Sequence, residues 1–364
     1  MPKRLHVLVC PLNWGLGHAS RMVPVIDVLL ELNCRVTASA SGKPMTMLRE
    51  EFKSRIDYID FPGPSICYNS WMPAAMSIFF QIPYLLFWVF RENQYLRKIL
   101  IQEQPDMVIS DNRYGVRNRK VLSDFVTHQL NIQMPAGFGW AGRIFNYFNH
   151  RIIRNFDHCL VPDKEEFPGL AGELSHGSRL PDISYTGPMS RFYSNKPWPE
   201  ENPAEQIPGD FILVLLSGPE PQRSILEKLL MKELTNETVV WFRGLPGNKN
   251  PVKKNGQWFY NHANRQLMSW FIRESSMVIC RSGYTTIMDL CVFGKKTVMI
   301  PTPGQTEQEY LARLLQKSGY IESLEQNNLK MLKDSIRSAH NKHGLPEIQK
   351  DELKIKLREL IRKF

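Results

Sequence analysis

The sequence predicts an α/β protein of two doubly wound halves, and three observations carry the prediction. Short apolar runs of strand length alternate with helix-length segments from residue 5 onward. The alternation stops in a Pro- and charge-rich stretch, 193–208, and restarts at 211. In each half a strand runs into a turn of glycine and small polar residues before a helix, the order that points backbone N–H groups at an anion. At 364 residues with 43% hydrophobic content, the chain has material for two cores.

The first half opens with a buried strand at 5–11, a GLGH turn at 15–18 and a helix at 22–32. Further strands are expected at 34–40, 56–61, 106–111 and 159–162. Strands alternating with helices imply a parallel sheet covered on both faces, with ligands at the carboxyl ends of the strands. Gly15 and Gly17 suggest a dinucleotide turn, but Ser20 replaces the third glycine and no acidic residue ends the second strand, which argues against a nicotinamide fold. His18 follows this turn. It is either a helix-capping histidine or a general base, since an imidazole is largely neutral near pH 7 and can accept a proton. Asp111, closing its strand, is the competing base or a cap for a following helix.

Residues 71–90, WMPAAMSIFFQIPYLLFWVF, are long enough to span a bilayer, yet Pro73 and Pro83 interrupt them and Ser77 and Gln81 lie inside. One spanning helix here would also leave strands of one sheet on opposite sides of a membrane. The stretch reads as one or two helices lying in the membrane interface, with an ordinary core helix as the alternative. Aromatic and basic residues return at 140–154.

The second half restarts with a buried strand at 211–216 running into Ser217 and Gly218, then a helix at 224–234. Strands are expected at 238–243, 258–260, 277–280 and 296–300. The chain is organised around RSGYTTIMD at 281–289. Ser282 and Gly283 form the turn, Thr285 and Thr286 add hydroxyls in the first helical turn, and Asp289 lies three residues on, on the face of Thr286. Phosphate at the helix start and a diol under the carboxylate together describe a nucleotide. The loop after 296–300 carries Gln305, Glu307 and Gln308, side chains suited to sugar hydroxyls. The tail, 347–364, places Leu353, Leu357, Leu360, Ile361 and Phe364 on one helical face, for docking on the domains or contacting lipid.

These residues carry a resemblance. RSGYTTIMD at 281–289 resembles the RSGxxTxxE box of the MurG-like glycosyltransferases of family 28, with Asp289 for glutamate. GQTEQ at 304–308 resembles that family's sugar-binding loop, and GLGH at 15–18 its GGxGH turn. Ser217 and Gly218 partly match its GGSxG turn. TGPMSR at 186–191 resembles the turn closing its first domain, so Arg191 inherits a nucleotide contact. The resemblance implies a GT-B fold, two Rossmann-like domains facing each other across a cleft. Residues 1–192 would form the acceptor domain with a membrane-associating segment at 71–90, and 193–208 a linker. Residues 209–340 would bind the nucleotide sugar, and 341–364 form an amphipathic helix. It implies transfer of a hexose or N-acetylhexosamine from a UDP-sugar to a lipid-linked or envelope glycan acceptor, with inversion. His18 would be the base, and Gly15, Gly17, Arg191, Ser217, Gly218, Arg281, Ser282, Gly283, Thr285, Thr286, Asp289, Gln305, Glu307 and Gln308 the donor site. By the same analogy His262 or Asn264 would touch the base.

The net charge of +10 favours anionic partners. With no zinc-finger or RNP-type pattern, nucleic acid is set aside and an anionic membrane surface kept. The six cysteines show no paired metal spacing and read as buried thiols. No Asp-x-Asp motif marks a metal, and no cofactor beyond the donor is expected. Without a signal core, the expected place is the cytoplasm, at the inner face of the membrane. Two rivals are a UDP-sugar epimerase of the same fold and a non-catalytic, nucleotide-sugar-binding partner of a transferase.

Overall fold

A computed structural model describes residues 4–64, 81–134, 139–178, 180–193, 207, 209–245, 251–347 and 351–362. The chain divides into two compact units. Described residues up to Arg191, with 351–362, form the first, and 192–347 form the second. Most of 193–208, and residues 71–80 of the stretch 71–90, lie outside the described residues.

The first unit holds a seven-stranded sheet of β1 (His6–Pro11), β2 (Arg35–Ala40), β3 (Asp57–Asp60), β4 (Met107–Asp111), β5 (Leu122–Val126), β6 (His158–Val161) and β7 (Ile183–Tyr185). Their order is 3-2-1-4-5-6-7, all parallel. Because β2 and β3 lie on one side of β1 and β4 on the other, chain direction across the sheet reverses between β1 and β4. Crossovers diverge there, leaving a crevice at the strands' carboxyl ends. The register pairs Pro11 with Asp111 at this place.

Helix α1 (Leu16–Glu31) begins at Leu16, six residues earlier than the sequence suggests. Gly17 and Pro24 both lie inside it. Gly17 lowers helix propensity by only about 1 kcal/mol, and Pro24 is carried because one face is buried through Met22, Val25, Ile26 and Leu29. Helices α2 (Gly42–Phe52), α3 (Ile82–Glu103) and α4 (Gly139–Ile153) follow. The start of α3 falls within 71–90; among the described residues no helix is long and apolar enough to cross a membrane. Strand β5 was not legible because Ser123 and Asp124 break its apolar run; Asp124 is buried and meets His158 Nδ1 at 2.9 Å.

The second unit repeats the plan with β8 (Ile212–Leu215), β9 (Val239–Phe242), β10 (Val252–Lys254), β11 (Gln257–Tyr260), β12 (Met277–Cys280), β13 (Thr297–Met299) and β14 (Glu322–Ser323). The order is 10-11-9-8-12-13-14, parallel except for the β10–β11 hairpin. Its direction reverses between β8 and β12, so Ser217-Gly218 and Ser282-Gly283 follow the two strands that flank the reversal. Helices α5 (Gln222–Glu233), α6 (Arg265–Glu274), α7 (Tyr284–Cys291), α8 (Thr306–Lys317) and α9 (Leu332–His340) cover the sheet. Its core packs Val214, Leu226, Leu230, Trp241, Ile279 and Val298.

The tail forms α10 (Glu352–Ile361), which belongs to the first unit and packs on α1. Leu353, Leu357 and Leu360 are buried, and Lys354 Nζ donates to Glu31 at 2.7 Å. The five described cysteines are buried free thiols; Cys67 lies outside the described residues.

Candidate active site

The first unit's reversal point gathers four polar side chains, those of His18, Arg21, Asp111 and His128. Gly15 caps α1 at φ 138°, a conformation open to glycine, and a Cβ there would meet nothing within 4 Å. Gly17 and His18 occupy the exposed first turn of α1. His18 Nδ1 lies 3.1 Å from Asp111 Oδ2, with the His18 side chain 21% exposed and Asp111 fully buried. Arg21, one turn further along α1, bonds Asp111 Oδ1. Burial alone would push the Asp111 carboxyl up. The charges of and hydrogen bonds from Arg21 and His18 outweigh it and hold the carboxyl below its usual range.

This arrangement corrects both sequence readings of Asp111. No helix follows β4 for it to cap, since 112–121 is a loop. Nor is it poised to take a proton from a ligand, being wholly buried and bonded on both oxygens. It stands behind His18 and orients the ring. The surrounding strand ends are tied together by two residues the sequence reading passed over. Asn13 Nδ2 donates to Ser41 Oγ and the Phe61 carbonyl at 2.9 and 3.0 Å. Arg113 donates to the Pro62 carbonyl at 2.7 Å and to Glu92 Oε1 at 2.9 Å.

The second unit places the RSG turn and the loop after β13 together. Arg281 does not face a ligand: it is 1% exposed and spent on internal acceptors. It donates to the carbonyls of Ile300 (3.1 Å), Pro301 (3.0 Å) and Gln222 (3.0 Å), and to Gln326 Oε1 (2.6 Å). Burial lowers its pKa to about 10, so it stays a cation at neutral pH. Arg281 thus links the end of β13, the start of α5 and the turn before α7. Ser282 is likewise buried, its hydroxyl donating to the Gln308 carbonyl at 2.8 Å. Gln308 closes its own loop, accepting from Thr302 N–H at 2.9 Å and bonding Gln305. The side chains of Arg281, Ser282 and Gln308 are therefore framework, because a turn without regular hydrogen bonds must satisfy its carbonyls and N–H groups with side chains.

The start of α7 carries the rest of the box. Gly283 has φ −74° and ψ 137°, which any residue adopts, and an added Cβ would meet only Thr286 Oγ1 at 4.0 Å. The fold does not require glycine there, since among the described residues nothing else lies within 4 Å of such a Cβ. Thr285 and Thr286 are half-buried in the first turn, and Asp289 is 7% exposed one turn on. After β8, Ser217 and Gly218 are exposed, Gly218 at φ 99° with nothing within 4 Å of a Cβ. Gln305 and Glu307 are half-buried at the start of α8. Arg191 is half-buried at the end of the first unit. Arg223 and Asn264 are engaged elsewhere. Arg223 is buried against Glu220 and Glu227, and Asn264 Oδ1 caps α6 by accepting from Leu267 N–H at 2.8 Å. Among the described residues no cluster of three His, Cys, Asp or Glu could hold a metal ion.

Arg281→Met is expected to lower stability by about 3 kcal/mol in urea unfolding, because four acceptors, three of them in buried bonds, lose their donor. Unchanged stability with lost nucleotide binding would instead make Arg281 a donor contact.

Two doubly wound units, each with a glycine turn leading to a helix at its reversal point, define the GT-B class. Residues 227–360 match the glycosyltransferase family 28 C-terminal domain. Over these segments the chain is similar to MurG-like glycosyltransferases of that family. It is 26% identical over 239 residues to an uncharacterized glycosyltransferase of Methanosarcina acetivorans, covering 62% of this chain and 60% of that one. It is 26% identical over 253 residues to the Buchnera aphidicola (subsp. Schizaphis graminum) UDP-N-acetylglucosamine–N-acetylmuramyl-(pentapeptide) pyrophosphoryl-undecaprenol N-acetylglucosamine transferase, covering 65% of this chain and 64% of the relative. Aligned segments thus span less than two thirds of both relatives. The crystal structure of the kitacinnamycin glycotransferase superposes with TM-score 0.68 at 12% identity, covering 100% of this chain and 99% of the other.

Proposed function

We propose that the chain moves a hexose or N-acetylhexosamine from a UDP-sugar to a hydroxyl of a lipid-linked or envelope glycan acceptor, with inversion. The observation that carries this reading is the start of α7: a glycine at the helix N-terminus where an added Cβ would meet only Thr286 Oγ1 at 4.0 Å, two hydroxyls in the first turn, and a buried carboxylate one turn on. The N–H groups of the turn and the Thr285 and Thr286 hydroxyls would offset the charge that grows on a departing diphosphate. Asp289 would accept hydrogen bonds from the ribose diol, its shorter reach than glutamate setting the helix closer to the sugar. Gln305 and Glu307 would hold the transferred sugar, while Ser217 and Gly218 would present a second phosphate turn.

In the first unit Asp111 would hold His18 with Nε2 outward, as a base for the acceptor hydroxyl. The loop after β5 that carries His128 continues to Asn131, which with Met134, Arg143, Asn146 and Glu173 lines a cavity of about 390 Å³. Its volume and mixed lining suit part of an acceptor.

Exposed apolar residues support a membrane-borne acceptor. Leu86, Phe87 and Phe90 on α3, and Ile144, Tyr147 and Phe148 on α4, are each half or more exposed, with Arg91, Arg143 and Arg151 beside them in sequence. Such faces lie in a headgroup layer, and the chain's positive charge favours the anionic inner leaflet. Replacing Leu86, Phe87 and Phe90 by serine is expected to cut sedimentation with phosphatidylglycerol vesicles at least severalfold. Persistent binding would remove α3 from the interface.

The donor assignment is tested by thermal shift against UDP-, TDP- and GDP-sugars. A UDP-sugar at a hundred times its Kd is expected to add about 2.7 kcal/mol of stability. No shift with any nucleotide sugar would sink the reading. Conversion of a free UDP-sugar to its epimer without acceptor would replace transferase by epimerase.

A further inference from the structure

The Arg21 guanidinium is almost wholly buried, its side chain 2% exposed. Its Nη2 touches both Asp111 Oδ1 and His18 Nδ1, the latter at 3.1 Å. Its Nη1 lies 3.1 Å from His128 Nδ1, on the loop after β5, and His128 is 6% exposed. One carboxylate, one guanidinium and two imidazoles therefore share one enclosed place. Of the nearby charges, Arg113 faces the other way, toward Glu92 and the carbonyls of Phe61 and Pro62.

We propose that Arg21, braced by His128, is the positioning residue that sets the tautomer and the proton affinity of the His18–Asp111 pair. The inference rests on His18 being the base. His18 Nδ1 has two neighbours at 3.1 Å with opposite demands: Asp111 Oδ2 only accepts, and Arg21 Nη2 only donates. A neutral imidazole can satisfy one of them. If Arg21 donated, the ring proton would sit on Nε2, and His18 would present an N–H to the acceptor with no lone pair for its proton. Arg21 Nη2 already donates to Asp111 Oδ1, and a bond to an ionised oxygen is roughly twice as strong as a neutral one. Both residues therefore donate to the two oxygens of a single carboxylate, and Nε2 keeps its lone pair.

The second effect is electrostatic. A lone buried carboxylate beside a histidine would draw a proton onto the pair before any substrate arrived. The guanidinium neutralises that carboxylate, so the enclosed group carries no net charge until His18 accepts the acceptor's proton. Asp111 then shares its charge with the imidazolium. His128 completes the device: its Nδ1 accepts from Arg21 Nη1, which requires a neutral ring with the proton on Nε2 and fixes the direction of the guanidinium. As the acceptor O–H bond breaks, its proton goes to His18 Nε2 and its oxygen bonds the anomeric carbon, whose bond to the diphosphate breaks with the electron pair leaving on the diphosphate.

The test needs no acceptor. Ring-nitrogen NMR of the nine histidines in the ¹⁵N-labelled full chain, with His18 identified by its loss in His18→Ala, reports tautomer and protonation directly. Spectra are followed from about pH 5 to pH 9, across the imidazole range. The parent protein is expected to show His18 protonated on Nδ1. In Arg21→Met the pair should take up its proton at a pH higher by about one unit or more. Whichever group receives it, removing a neighbouring cation makes protonation easier, so the sign is fixed. Arg21→Lys, which keeps the charge, should stay near the parent. Arg21→Gln, which keeps a donor without charge, should move with Arg21→Met and replaces it if that variant does not fold. A parent ring protonated on Nε2, or an unmoved or lowered midpoint in the uncharged variants, overturns the proposal. Failure of the base reading would show separately, as sugar transfer surviving in His18→Ala.

Discussion

His18→Ala lowers kcat for sugar transfer by roughly 10²- to 10⁴-fold and leaves the affinity for the nucleotide sugar unchanged. The magnitude is that of removing a positioned general base. The split between kcat and binding follows from the architecture: His18 sits at the reversal point of the first unit, while Ser217, Gly218, Thr285, Thr286, Asp289, Gln305 and Glu307 all lie in the second. Asp111→Asn gives a smaller loss of the same kind, because a neutral amide supports the imidazolium less well than a carboxylate. The measurement is steady-state transfer alongside calorimetric titration with the donor. Full activity in His18→Ala removes the base assignment, and with it the argument that the first unit is a working acceptor domain.

Asp289→Ala weakens nucleotide binding about ten- to a hundredfold. Hydrogen bonds to a charged acceptor contribute about 1.5–3 kcal/mol, and each 1.4 kcal/mol is tenfold in affinity. Asp289 lies at 7% exposure on α7, one turn past Thr286. Calorimetry with UDP and UDP-sugars checks the prediction, with melting temperature as a control on folding. Affinity equal to the parent's takes Asp289 out of the donor site. A loss confined to uridine nucleosides lacking a ribose diol would contradict its proposed partner.

Much of the site could be read from residues because its chemistry is local. RSGYTTIMD announces a turn, two hydroxyls and a carboxylate on one helical face, since spacing within a helix fixes which side chains are neighbours. Arg21 was open to the same reasoning: it stands three residues after His18, on the same face of α1, and its type in an otherwise apolar stretch is the signal that was passed over. His128 carried no such signal. It reaches Arg21 only because β5 lies beside β4, and β5 itself is masked in the sequence by Ser123 and Asp124.

The sequence by itself determined the two α/β halves, their glycine turns and the family box, because backbone periodicity and turn chemistry act over a few residues. Only the tertiary structure decided which polar side chains are consumed as framework. Arg281, Ser282 and Gln308 look like ligands along the chain, yet they are consumed by carbonyls and N–H groups that the packed loops would otherwise leave unpaired. Asp111 turns from a rival base into the support of His18 for the same reason. Burial makes every polar atom find a partner, and partners far apart in the chain are chosen by the fold.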